Sequence, residues 1–405
     1  MWSRLSFAAL CGVLWLARYP ALAGGLLHAR GVAAPEPSPL TGQPEGSTKA
    51  PSQRLAAVEV DGRWGFADIA GNLRIGPRFD YAGSFSDGLA AVRDGDKWGF
   101  IDRAGHVRIR PEFGSVDKFA EGAAAVESQG KWGFIDAAGK VRVKPQFNYA
   151  RSFSDGLALV KVVSRRGFMG KRWRLDIEPR FADASSFSQG LAPVLVGCVW
   201  GFVDRAGNLA IAPRFQEARQ FSDGLAAVKE RDEWAFIDRT GVVRFRLRWP
   251  MFWRPELPRS WLLALVAREQ APLDGCSSGI DPCMVYDVGQ FSEGLVPVLA
   301  GGRWGFVDGA GRVGIKPQFA YAYGFTEGFA AVRLPDHSWA FINARGAVVL
   351  RSSAGRNPWC GARPFHGGMA GVLMAVTNGT FRWGFIDRAG RAAVGPRFQQ
   401  VRDMQ

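Results

Sequence analysis

One motif returns along the chain at a nearly fixed step, and that return limits the possible folds more than any other feature. The segment Asp96 to Phe113 reads DKWGFIDRAGHVRIRPEF. Trp-Gly stands at Trp64, Trp98, Trp132, Trp200, Trp304 and Trp383, and Trp-Ala at Trp234 and Trp339. The steps 64 to 98, 98 to 132 and 200 to 234 are 34 residues each, and 132 to 200 is 68, twice that. The last three steps, from 234 through 304 and 339 to 383, are 70, 35 and 44. A fixed step of roughly 20–50 residues marks one supersecondary unit copied in tandem.

The unit reads as a β-meander. Phe85 to Gly88 is turn chemistry, Leu89 to Arg93 is a short apolar strand, and Asp94-Gly95-Asp96 is a hairpin turn. Lys97 to Asp102 is a second strand. Arg103-Ala104-Gly105 turns again, with Asp102 placed to bond the turn backbone and Gly105 free to take positive φ. His106 to Arg110 is a third strand, stopped by Pro111, which cannot donate to a ladder. Phe113 to Val116 adds a short fourth strand. Side chains alternate faces along a strand, and here both faces carry apolar groups. A lone meander of this size cannot bury itself, so neighbouring units must cover it. The eight repeated Trp residues therefore read as structural core, together with the Phe residues. Gly99, between two aromatics, fits a ring crossing close to the backbone.

The fourth unit has Arg166-Gly167-Phe168 where Trp-Gly-Phe is expected, yet Arg166 to Pro179 keeps the 13-residue spacing of Trp98 to Pro111. It reads as a decayed copy. Val243 to Trp249 still follows the third-strand pattern, but Met251 to Tyr286 holds no Trp-Gly. The 70-residue gap is about two periods, which places one cryptic unit at about 250–290. The expected fold is all-β: about ten antiparallel meanders over residues 54–403, stacked as an open superhelix or solenoid. The alternative is a propeller-like ring. About ten units exceeds the usual 4–8 blades, and the array starts on a first strand and ends just after a third, with no obvious strand exchange.

At the N-terminus, Arg4 precedes an apolar run from Leu5 to Ala17, and Ala21-Leu22-Ala23 fits a cleavage site. Residues 1–23 read as a secretory signal peptide, with an uncleaved membrane anchor as the alternative. Residues 24–53, rich in Pro, Gly, Ser and Ala, read as a linker. Export makes Cys198, Cys276, Cys283 and Cys360 disulfide candidates; Cys276 and Cys283, flanking a turn-rich loop, are the expected pair.

No motif for a nucleophile, a catalytic metal or a phosphate loop is present, and the reading is non-enzymatic, with no cofactor and no metal. Asp87, Glu121, Asp155, Asp223, Glu293 and Glu327 recur before Gly. One carboxylate per turn falls short of the roughly 6–8 oxygens calcium takes, and Gln189 breaks the series, so these read as turn residues. Arg74, Arg108, Arg110, Arg142, Lys144, Arg244 and Arg246 alternate with apolar residues on third strands. Stacked at one pitch, they form a basic stripe. It is either a solvated face that discourages edge pairing or a contact for an anionic partner, favoured by the net charge of +14. Aromatic residues do not interleave with them as in single-strand nucleic-acid binders, which makes nucleic acid an unlikely partner. A protein, an anionic envelope component and a membrane surface remain; the oligomeric state is left open.

Gly130 to Phe147, GKWGFIDAAGKVRVKPQF, resembles the repeat of the bacterial WG-repeat proteins. The resemblance covers Leu55 to about Phe398 and rests on several spaced positions recurring together. It implies a β-repeat fold and no particular activity. The expectation is an exported, periplasmic or extracellular binding or scaffold protein of the cell envelope or exterior. A carbohydrate-binding protein or an accessory to a polysaccharide-acting enzyme, with exposed Trp as sugar platforms, is the alternative.

Overall fold

The computed structural model describes residues 54–247, 285–352, 359–376 and 380–405. The signal peptide, the linker, the Cys276–Cys283 pair and most of the cryptic unit lie outside the described residues. Within them, 36 strands, numbered β1–β36 in chain order, form nine four-stranded antiparallel sheets. The second sheet shows the pattern. Strands β4 (Tyr81–Ser86), β5 (Leu89–Asp94), β6 (Lys97–Asp102) and β7 (Val107–Phe113) pair in chain order. The short strand expected after Phe113 is β8 (Ser115–Val116), and it pairs with β9 (Ala123–Ser128) of the third sheet. It is the first strand of the next sheet rather than the fourth of its own unit.

The first sheet runs β3 (Leu73–Phe79), β2 (Arg63–Asp68), β1 (Leu55–Val60), β36 (Gln400–Val401). The C-terminal strand thus supplies the first strand of the N-terminal sheet, with Val58 opposite Val401 and Glu59 opposite Gln400. Leu55 and Gln405 exchange backbone hydrogen bonds, as Ala120 and Ala123 do within one turn. The array is therefore a closed nine-sheet β-propeller, and the expectation of an open stack of about ten units is corrected. Closure spares the edge that an open array would leave unpaired. The count falls to nine because the sixth and seventh sheets touch directly. Ser222 Oγ donates to the Phe291 carbonyl at 2.5 Å, and Arg219 pairs with Asp287 at 2.8 Å.

The deepest recurring core position is the Phe two residues after the Trp position. Phe66, Phe100, Phe134, Phe168, Phe202, Phe236, Phe306, Phe341 and Phe385 are all 0% or 1% exposed. Trp64 and Trp234 are also buried, whereas Trp98, Trp132, Trp200, Trp304, Trp339 and Trp383 are half-buried.

Between Trp98 and Phe100 the register shifts, Trp98 facing Phe113 and Phe100 facing Ile109. A Cβ on Gly99 would stand 2.5 Å from the Ile109 carbonyl oxygen and 2.6 Å from the Pro111 nitrogen. A strand backbone, and not the ring expected from the sequence, is what demands this glycine. The same approach recurs at Gly65, Gly133, Gly167, Gly201 and Gly305, opposite Pro77, Pro145, Pro179, Pro213 and Pro317. Where alanine stands instead, at Ala235 and Ala340, the proline position holds Leu247 and Ser352. There the pairing between Trp and Phe is regular: Ala235 faces Arg246, and Leu247 N–H donates to the Trp234 carbonyl at 2.8 Å. Proline has no N–H to give, so glycine and proline together form a single bulge device.

Candidate functional site

Most recurring polar residues are occupied in joining the sheets. Asp87 takes φ 49 and Gly88 φ 79, a turn with two left-handed residues. The Asp87 carboxylate accepts a hydrogen bond from Gly122 N–H of the next sheet at 2.8 Å. Asp155 does the same for Gly190 at 2.7 Å, Glu293 for Gly328 at 2.9 Å and Glu327 for Gly368 at 2.8 Å. Gln189 keeps the series, its Oε1 accepting from Gly224 N–H at 3.0 Å. The link needs an acceptor rather than a charge. A parallel row has Ser154 and Ser188 Oγ donating to the Phe187 and Phe221 carbonyls, each at 2.7 Å. A third set, Arg78 and Arg214, donates to the Gly105 and Gly241 carbonyls at 2.6 and 2.8 Å, and Arg397 reaches Gly71 across the ring closure. The partner in the first two rows is one period away, a signal that the equal spacing of these residues already carried.

The basic third-strand residues are mostly tied to their own sheets. Arg74 meets Asp68 at 2.7 Å, Arg142 meets Asp136 at 3.7 Å and Arg244 meets Asp238 at 3.6 Å. Arg108 comes within 3.9 Å of Asp102, and Arg246 meets Glu230 at 2.5 Å. Arg110 and Lys144 are exposed. Burial pushes the Asp102 carboxyl upward, but hydrogen bonds from the His106 and Ala104 N–H groups and the His106 ring outweigh it and hold the group below its ordinary value. Among the described residues no group of His, Cys, Asp or Glu is arranged as metal ligands would be, and Cys198 is an exposed free thiol.

The fourth sheet departs from this frame. It is made of β12 (Tyr149–Ser154), β13 (Leu157–Val162), β14 (Arg165–Gly170) and β15 (Leu175–Phe181), with Arg166 in the Trp position. In three other places the Trp ring meets a Tyr on the first strand of the next sheet: Trp64–Tyr81 at 5.5 Å, Trp132–Tyr149 at 5.7 Å and Trp304–Tyr321 at 5.7 Å. Here an ion pair replaces the rings: Arg166 Nη1 lies 2.8 Å from Asp183, and it also donates to the Ala184 carbonyl at 2.8 Å. Arg166 lines a cavity of about 480 Å³, together with residues of the fourth, fifth and sixth sheets. Tyr149, Arg151, Lys161 and Arg166 line it on one side, and Ser186 and Gln220 on the other.

Arg151 is the informative residue. Its counterparts Arg219, Arg363 and Arg402 lie over the Trp of their own sheets, 5.6 Å from Trp234, 5.4 Å from Trp383 and 5.6 Å from Trp64. In the fourth sheet that ring is missing, and Arg151 Nε is held by the Tyr149 hydroxyl at 2.9 Å. That hydrogen bond, against the opposing pull of burial, raises its pKa further. From the sequence alone this unit reads only as a decayed copy. The absence of the Trp was its visible signal, but the basic neighbours come from other strands.

The family model described as WG containing repeat matches residues 64–98, 98–132, 132–162, 177–197, 200–234 and 304–334. Its matches pass over residues 163–176, the stretch that contains Arg166. A comparison with curated proteins finds no match. Among solved structures, the chain is similar to one described as the eukaryotic initiation factor, with a TM-score of 0.57 and 10% identity over 87% of this chain and 97% of that one. The computationally designed Ika8 protein follows with a TM-score of 0.42 and 11% identity, covering 83% of this chain and 100% of its own. BamB from Moraxella catarrhalis gives 0.38 and 11%, covering 79% and 94%. At these identities the first likeness speaks for the fold alone. With six matches of one repeat model along a ring of nine sheets, the chain belongs to the WG containing repeat family.

Proposed function

We propose that this protein is a non-enzymatic binding module, exported to the cell envelope or exterior, whose ring is a rigid frame and whose contacts are made where a unit leaves the repeat. One observation carries the reading. The recurring Asp, Glu, Gln and Ser side chains serve sheet-to-sheet hydrogen bonds, while the unit without Trp opens a basic cavity. The partner is a protein or an anionic envelope component. The sugar-platform alternative has weaker support, because the half-buried Trp rings are flanked: Trp98 has Tyr81 at 5.2 Å and the Arg93 guanidinium at 6.0 Å.

The test places a photo-crosslinking residue at Ser186, beside the cavity, and at Thr240, on a turn away from it, in the full chain expressed in its native cells. A discrete adduct in the envelope or exterior fraction from Ser186 alone is the expected result. Equal adducts from both positions, or none from Ser186, would overturn the proposal.

A further inference from the structure

We infer that the fourth-sheet cavity takes a small organic acid, one carboxylate or phosphate group carried on a hydroxylated body. This deepens the binding-module reading and rests on it. Three cationic side chains, Arg151, Lys161 and Arg166, line one cavity. Arg166 is already matched by Asp183. No carboxylate among the described residues lies within ion-pair distance of Lys161, and Arg151 has lost the ring on which its counterparts rest. Lys161 is thus left to meet an acid from outside, beside the planar Arg151 guanidinium, which is suited to an oxyanion. Asp183 is paired with Arg166, and Asp117, which accepts from the Ser152 and Lys118 N–H groups, keeps its negative charge near Arg151. The remaining polar lining, Ser185, Ser186 and Gln220, is uncharged and suits hydroxyl groups. The volume falls within the range of about 300–1,000 Å³ common for small-molecule sites. A polymer is not required to fill it.

Titration calorimetry on the full chain tests this with glucuronate, glucose 6-phosphate, inorganic phosphate and glucose. Glucuronate or glucose 6-phosphate should bind, with an affinity that falls as salt rises, and glucose should not. The two acids distinguish a carboxylate ligand from a phosphate ligand, and inorganic phosphate shows whether the hydroxylated body contributes. Lys161→Gln and Arg151→Gln should each weaken binding roughly ten-fold, since each removes a charged hydrogen-bond donor. Lys140→Gln, on an exposed turn, should leave binding unchanged. Refilling the site with Arg166→Trp and Asp183→Tyr together should abolish binding without lowering the melting temperature, a readout that separates a lost cavity from a lost fold. Glucose binding as well as the acids, or binding indifferent to both Gln variants, would overturn the inference. If the Ser186 adduct persists while no acid binds, the module reading stands and the ligand class falls.

Discussion

The second and fourth sheets have the same strand lengths and the same buried Phe, yet four of their positions have exchanged roles. Trp98 corresponds to Arg166, Asp102 to Gly170, Gly105 to Trp173 and Arg108 to Asp176. In the second sheet Asp102 closes its turn by accepting from Ala104 and His106 N–H at 3.0 and 2.9 Å, and Arg108 approaches it. In the fourth, a Cβ on Gly170 would fall 1.8 Å from the Asp176 carboxylate, so the acid occupies the same space from the opposite strand. The lost Trp reappears at Trp173, whose ring lies 6.4 Å from Phe134 and 5.8 Å from Phe153 of its neighbourhood. It does so at φ 62, a conformation usually left to glycine. Rim residues can therefore be permuted while the frame holds, and of the four only Arg166 lines the cavity.

The comparison is broken most directly at the bulge, which both sheets share. Gly99→Ala and Gly167→Ala each drive a methyl into the opposite backbone, and each should cost about 3 kcal/mol, the upper end for overpacking. Adding Pro111→Leu to Gly99→Ala should recover part of that loss, because Ala235 with Leu247 already uses this pair. Thermal and urea unfolding read both effects. A neutral Gly99→Ala, or no recovery in the double variant, would show that the glycine is there for another reason.

A smaller effect sharpens the contrast at the Trp position. Trp98→Ala should cost about 2 kcal/mol, less than a fully buried aromatic because the ring is half-buried. Arg166→Ala should cost about 1 kcal/mol or less. Its side chain is 27% exposed and that of Asp183 40%, and solvent screens such a pair. Equal melting shifts for the two variants would remove the distinction between ring packing and ion pairing.

The smallest effect is one of pH. The Asp102 carboxyl is held below its ordinary 3.8 in the folded chain. A depressed folded pKa stabilises above the unfolded value, and the contribution disappears as pH falls from about 3.8 through the folded value. Asp102→Asn should therefore lower the melting temperature slightly at pH 7 and make no difference once both states are protonated. The fourth sheet, with Gly170 in that place, has no such turn carboxylate to lose. A difference that persists at the lowest pH would place the effect in packing.

Much of the frame is legible residue by residue. The strands β5 and β6 fall where Leu89 and Lys97 open apolar runs, whereas β7 runs past the expected stop at Pro111 to Phe113, because the bulge opposite Gly99 accommodates a residue without an N–H. The Asp87 series was visible but its purpose was not, since the Gly122 amide it serves lies in another sheet. Gln189 looked like a break only while a charge was assumed necessary. The cavity was marked by a missing Trp at Arg166, but Arg151 and Lys161 reach it from strands with no pairing to one another in the pattern of letters. The closing strand also had a written signal: Phe398 to Val401 parallels Phe113 to Val116, the short strand already recognised elsewhere.

By itself, then, the sequence determined the repeating β unit and its turns, because those contacts join residues a few positions apart and are spelled out again in each copy. The tertiary structure alone decided that nine sheets close and that β36 completes the first of them. Closure depends on the small rotation between successive sheets accumulating to a full turn, and the pairing of Val58 with Val401 is made only when that sum comes out right.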